Sequence, residues 1–346
     1  MKRLLFTGKL GLAFAIAGCL PNPPATNNPP GFENASDPTN GGATFVGSAA
    51  CTACHSDVAA LHRGHPHANT LQVLDGRAPR LPEELMIELP ADAPPNREWT
   101  DVAYWVGGIA TAARLINGEG FTIVDEMAAE EIIWSPGDLG NGVPAGYRWH
   151  AAEGAIEFDF DCFRCHTTGA MNESAFQDSR TGAAGTWTEP GVQCEACHGP
   201  GSRHFTVALG EPVVDTSSVF VDSDGSQSCR ACHQAGTQLA GRDGFIAPYQ
   251  QWTELRASGG HADFACTVCH DPHLGLRADR ASAIRNECRV CHADTSMAGH
   301  GGAMFVRGNI SESLSCESCH MPYATKNVLM AAADAAGSAG RIGDVR

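Results

Sequence analysis

The chain is short of positive charge. Its 346 residues hold 23 Lys and Arg against 39 Asp and Glu, a formal charge of −16, and a surface of that sign disfavours nucleic acid as a partner. Long apolar runs are missing as well. After the first 18 residues nothing approaches the roughly 20 apolar residues that a membrane-spanning helix needs. Spare cysteine is the third absence: fourteen of the fifteen fall in one repeated motif, which leaves none for structural disulfides.

That motif is Cys-x-x-Cys-His, present seven times. The copies are Cys51, Cys54 and His55; Cys162, Cys165 and His166; Cys194, Cys197 and His198; Cys229, Cys232 and His233; Cys266, Cys269 and His270; Cys288, Cys291 and His292; and Cys316, Cys319 and His320. Two thiols at this spacing add across the two vinyl groups of a porphyrin, and the following His reaches the iron as axial ligand. A single Cys-x-x-Cys also suits a redox pair or half a zinc site, but a His after every copy points to seven covalent haem c groups. Successive motifs lie 111, 32, 35, 37, 22 and 28 residues apart, which is no solenoid period.

Seven of the fifteen histidines are used by the motifs. His62, His65, His67, His150, His204, His261, His273 and His300 remain. Eight candidates for seven distal positions favour bis-histidine coordination, which saturates the iron and suits electron transfer. His65, His204, His261, His273 and His300 are the first choices, His150 follows, and His62 and His67 compete for what is left. Met171, Met297, Met304 and Met321 lie near motifs, yet Met more often fills gaps in packing.

Lys2 and Arg3, an apolar core and Ile16-Ala17-Gly18-Cys19 resemble the lipobox of bacterial lipoproteins. The resemblance implies cleavage after residue 18, lipid on Cys19, export and, with Leu20 following, an outer-membrane location. Loss of Lys2, Arg3 and Lys9 takes the formal charge from −16 to −19. Residues 19–43, rich in Pro and Asn, read as a flexible tether. Residues 44–75 carry the first haem motif and 161–323 the other six, while 324–346 form a loose tail. Between them, 76–160 hold no motif but have β-like runs at 102–106, 114–116, 121–124 and 131–134, with Asn117-Gly118 as a hairpin signal. This is a small β-rich insert, in which Trp99, Trp105, Trp134 and Trp149 serve packing rather than an aromatic substrate. Residues 44–323 allow about 40 residues per haem, too few for seven separate cores. The expected architecture is therefore mainly α with extensive loops, and with the haems themselves as the core.

Several stretches resemble exported multihaem c-type cytochromes, related to the tetrahaem cytochromes of nitrifying bacteria and to outer-membrane electron-transfer cytochromes. They are Gly64-His65-Pro66-His67, LQVLDGRAP from Leu71, EWTDVAYWVGG from Glu98, CFRCHTTG from Cys162, GTWTEPGVQCEACHGPGSRH from Gly185 and CHMPYATK from Cys319. The resemblance implies that His65, His204 and His273 are distal ligands, and that the haems form a chain of stacked and perpendicular pairs. His67 departs from the pattern by standing where an aromatic is expected, and residues 110–113 replace a bulkier stretch.

The leading function is electron conduction between a respiratory donor and an outer-membrane or extracellular acceptor, with redox proteins as partners and the lipid as the only membrane contact. A reductase or oxidase of a small nitrogen or sulfur compound would need one iron with an open sixth position. A third reading makes the chain a subunit of a cytochrome filament or of a complex with a porin.

Overall fold

The computed structural model describes residue 34 and residues 37–316, apart from 110–111, 126, 137–144, 153, 173–182, 184, 206–217, 223–224, 235–249, 294–303, 308–309, 314–315. Cys19, His300, Cys319, His320, Met297, Met321 and the tail 324–346 lie outside the described residues.

The largest regular element is a six-stranded antiparallel sheet of β1 (Leu71–Val73), β2 (Tyr104–Gly107), β3 (Ala113–Ile116), β4 (Val124–Asp125), β5 (Glu130–Ser135) and β6 (Gly146–Ala151). Strand β5 is its hub, pairing β3 and β4 and, along its whole length, β6. Branched and aromatic side chains at these positions suit a pleated surface. At Asn117 the expected turn forms as a longer loop: the Asn117 side chain accepts the amides of Glu119 and Phe121, each at 3.0 Å, before Thr122 bridges Ile116. The sheet also reaches back before residue 76. Leu71, Gln72 and Val73 pair with Val106, Trp105 and Tyr104, because the free edge of β2 needs partners for its backbone groups.

Alternation along the strands gives the sheet two buried faces. One face carries Trp105, Ala113, Leu115, Ile132 and Trp134, and the Trp105 and Trp134 rings lie 5.2 Å apart. The other carries Leu71, Tyr104 and Ile116, packed on Phe158, Phe163 and Trp187 with Cys162 at the margin. This second face is the wall against which the second haem motif sits. Trp105 and Trp134 are packing residues as expected, whereas Trp149 is 41 % exposed.

Outside the sheet the described helices are short, none exceeding the eight residues of Ser56–Arg63. Helices of this length are not stable alone and must be held by what they pack on. Loops and motif helices dominate from residue 160 on, but the sheet makes the whole less helical than the sequence suggests. The tether expected through residue 43 also differs. Asn40 is buried, and its side-chain amide donates to the carbonyls of His198 and Pro200 at 3.0 and 2.8 Å, so ordered chain begins before Thr44. Two carbonyls at the end of the third motif gain donors that way.

On the face that packs against the second motif Arg114 meets Glu131 at 3.3 Å, and the Glu131 side chain is 1 % exposed. Burial raises the Glu131 carboxyl above its usual value, opposed by Arg114 and His150. Arg114→Leu should cost about 3 kcal/mol at neutral pH, the low end for breaking a buried ion pair because Arg114 is partly exposed. The loss should shrink as pH falls and Glu131 takes up a proton, and Arg114→Leu/Glu131→Leu should recover most of it. Chemical denaturation at several pH values reads both effects.

Candidate haem-binding sites

Each of the six motifs within the described residues is built on one helical turn. The His55 amide bonds the Cys51 carbonyl at 2.9 Å, His270 that of Cys266 at 3.0 Å, and His292 that of Cys288 at 2.9 Å. Residues three and four apart share a helix face, so both thiols and the His point to one side. In the second motif the turn is fixed by the Asp159 side chain, which accepts the Cys162 amide, and by the burial of Phe163.

Hydrogen bonds then orient the imidazoles. His166 places Nδ1 3.3 Å from the Thr70 carbonyl, and His198 places Nδ1 3.0 Å from that of Phe220. His233 places Nδ1 3.2 Å from Oε1 of Gln251. In each case Nδ1–H donates and Nε2 keeps its lone pair for a metal. Burial lowers the pKa of His166 and His198, which keeps both rings neutral and fit to ligate.

Whether these residues fit haem can be tested on the distances between rings. Two imidazoles bound at about 2.0 Å on opposite sides of one metal place their ring centres roughly 6 Å apart. His55 and His204 lie 6.4 Å apart with planes at 22°. His198 and His273 lie 6.2 Å apart at 7°, and His261 and His292 5.8 Å apart at 78°. His67 and His233 lie 6.0 Å apart at 58°. Four motif histidines thus face a second imidazole across a gap that suits an iron. His166 and His270 have no such ring partner among the described residues.

The segment from His62 to His67 stacks its three rings in a column. His65 and His67 are only 4.5 Å apart, too close for a metal between them, and the His67 amide donates to His65 Nδ1 at 2.9 Å. His62 lies 5.7 Å from His65 and turns Nε2 to the Val192 carbonyl at 3.0 Å. Burial, with neighbouring imidazoles adding to it, brings His65 down to about 3 and holds His67 well below the usual histidine range. Of the two that compete, His67 faces a motif histidine, and His62 has its Nε2 engaged by a carbonyl. His150 stands opposite Glu131 across β5 and β6, and together with Arg114 it opposes the rise that burial gives the Glu131 carboxyl.

Thiols of different motifs touch. Cys51 meets Cys194, Cys165 meets Cys232, and Cys229 meets Cys266. As free thiols, hydrogen bonding within each pair lowers the pKa of Cys194, Cys266 and Cys165 and raises those of Cys51, Cys229 and Cys232. Among the described residues no cluster of three or more His, Cys, Asp or Glu is arranged to hold a bare metal ion. No helix there is long and apolar enough to cross a membrane. A cleft of about 400 Å³ lies beside the sheet between Arg97, Ile123, Met127 and Trp149, away from every motif in sequence.

Sequence reasoning missed the partners that aim the rings. Thr70 and Phe220 act through carbonyls, which no side-chain pattern reveals, and Gln251 belongs to a helix 18 residues beyond His233. Glu195, buried between Cys194 and Cys197, was also invisible as anything but a variable position.

Comparison with known proteins gives one family match: the family described as cytochrome c554 and c-prime covers residues 148–199, the second and third motifs. The multiheme cytochrome MtrA of Shewanella baltica (strain OS185) is 26 % identical over 174 residues, 47 % of this chain and 45 % of that protein. The chain therefore spans less than half the length of that relative. Two solved structures align at 18 % identity. The undecaheme cytochrome from the S-layer of Carboxydothermus ferrireducens gives a TM-score of 0.43 over 75 % of this chain and 43 % of its own. The outer cell wall cytochrome OcwA gives 0.41 over 79 % and 71 %.

Substituting a distal candidate should expose its iron. His273→Ala and His261→Ala should each convert one ferric low-spin haem to high-spin, and His62→Ala should convert none. Low-temperature EPR of the oxidised holoprotein decides between these outcomes.

Proposed function

We propose that this chain, a multihaem c-type cytochrome, carries seven covalent haem c groups and relays single electrons between a respiratory donor and an outer-membrane or extracellular acceptor. Haem supplies the one-electron chemistry; the chain sets spacing, axial ligation and surrounding dielectric. The observation that carries this reading is the pairing of motif imidazoles with second imidazoles at 5.8 to 6.4 Å. A doubly ligated iron binds no substrate, so such sites pass electrons on instead of reacting.

In this reading His204 completes the site of His55, His273 that of His198, His261 that of His292, and His67 that of His233. His65, His150 and His300 remain as ligands for the second, fifth and seventh sites. Contact between Cys51 and Cys194, Cys165 and Cys232, and Cys229 and Cys266 supports direct adjacency of the sites concerned. The fourth motif then has neighbours on two sides, a junction through which electrons from the second site join the line. Export and a lipid on Cys19 give the chain its place at the outer membrane, with a porin or another multihaem cytochrome as the kind of partner that continues the path.

A second reading rests on His166 and His270, which have no ring partner among the described residues. An iron left with an exchangeable sixth position there would make the chain a reductase or oxidase of a small nitrogen or sulfur compound. EPR of the oxidised protein before and after cyanide or nitrite separates the two. Seven low-spin haems indifferent to either ligand support conduction; one high-spin haem that binds them moves the function to that site.

The anchor has its own test. Cys19→Ala should release the holoprotein from the membrane fraction with its haem-to-protein ratio unchanged at seven. A variant that stays membrane-bound counts against lipid as the anchor.

A further inference from the structure

We propose that Glu195 is a positioning residue for the first haem, holding that haem's proximal helix and its distal ligand together from a point inside the third motif. The inference rests on the reading that His55 and His204 ligate the same iron.

Glu195 lies between Cys194 and Cys197 and is 3 % exposed. Its Oε1 accepts the amides of Val46 at 3.0 Å and Gly201 at 2.7 Å, and its Oε2 accepts the amide of Gly47 at 2.8 Å. A buried carboxylate that receives three backbone donors is well compensated, and bonds of this charge-assisted kind are among the stronger ones. The two groups of donors lead in opposite directions. Val46 and Gly47 run directly into the helix Ser48–Thr52, which carries Cys51 and ends three residues before His55. Gly201 opens the turn closed by the Phe205 amide on its carbonyl at 2.9 Å, and His204 lies within that turn.

Neighbouring contacts tighten the same junction. The Ser202 amide donates to the Thr44 carbonyl at 3.0 Å, and the Thr44 amide to Ser202 Oγ at 2.9 Å. Glu189 takes the amide and hydroxyl of Ser48, both at 2.8 Å, so a second acid holds the start of the proximal helix. Two of the three donors, Gly47 and Gly201, are glycines for a steric reason. A Cβ on Gly201 would stand 3.2 Å from Glu195 Oε1, and Gly47 has φ +83°, which disfavours any other residue. The carboxylate therefore sets the distance between the two imidazoles now 6.4 Å apart, and it sets both against the third site, whose Cys194 already touches Cys51. Its negative charge beside these sites favours the ferric state, so it also lowers their potentials.

The test compares Glu195→Ala, Glu195→Gln and His204→Ala in the full-length holoprotein, by EPR spin state, spectroelectrochemical titration and haem content. His204→Ala should turn one haem high-spin and remove one redox component. Glu195→Ala should turn a fraction of that same haem high-spin with haem content unchanged. Glu195→Gln, which keeps an acceptor oxygen but loses the charge, should stay low-spin and move that same redox component to higher potential. If Glu195→Ala and Glu195→Gln leave spin state and every component unchanged while His204→Ala gives its high-spin haem, Glu195 only folds the N-terminal segment and the inference fails. If His204→Ala gives no high-spin haem, the ligand reading falls and takes the inference with it. Should Glu195→Ala not accumulate, the direction of the potential shift in Glu195→Gln still decides.

Discussion

Two imidazoles that share a metal have to meet across about 6 Å, and in this chain the facing pairs are separated by 149, 75, 31 and 166 residues for His55–His204, His198–His273, His261–His292 and His67–His233. Closing loops of that length costs conformational entropy that grows only slowly with length. Short helices of four to eight residues cannot repay it alone. With haem bound, iron–nitrogen bonds, thioethers and packing of macrocycles against one another would supply that stabilisation. This explains why the apolar side-chain core is concentrated at the sheet, while the motif region is made of turns and loops.

The sheet has a narrower role than a separate domain would. Its face with Tyr104 and Ile116 is a rigid wall for Phe163 and Trp187, and so for the second motif. It also sends β1 back into the first haem segment, and the Thr70 carbonyl just before β1 orients His166. Strand pairing and ring orientation are thus coupled within a few residues. A polar group, the Arg114–Glu131 pair with His150, lies on the same side of the sheet.

Acidity runs through the whole molecule, yet the acids that matter to the sites are few and are bound by the backbone. Glu195 and Glu189 accept amides and a hydroxyl rather than pairing with Lys or Arg. A carboxylate satisfied by amides keeps its full negative charge, whereas one paired with Arg would not present it to a neighbouring iron. The junction between the first and third motifs therefore combines a geometric and an electrostatic function in the same side chains.

The sequence alone determined the chemistry. Seven Cys-x-x-Cys-His units announce their cofactor because both thiols and the imidazole come from one helical turn, a local constraint that spacing expresses completely. The strands around Tyr104, Leu115 and Trp134 were legible for the same reason, since alternation is a local pattern. Tertiary structure decided what depends on contacts between distant segments: that His67 rather than His62 faces His233, that Asn40 docks on the third motif, that His150 stands by Glu131, and that Glu195 ties two remote segments together. None of these could be read from spacing. A distal ligand or a carboxylate acquires its role from what the fold brings within a few ångströms, and the carbonyls and amides that complete such a site are common to every residue.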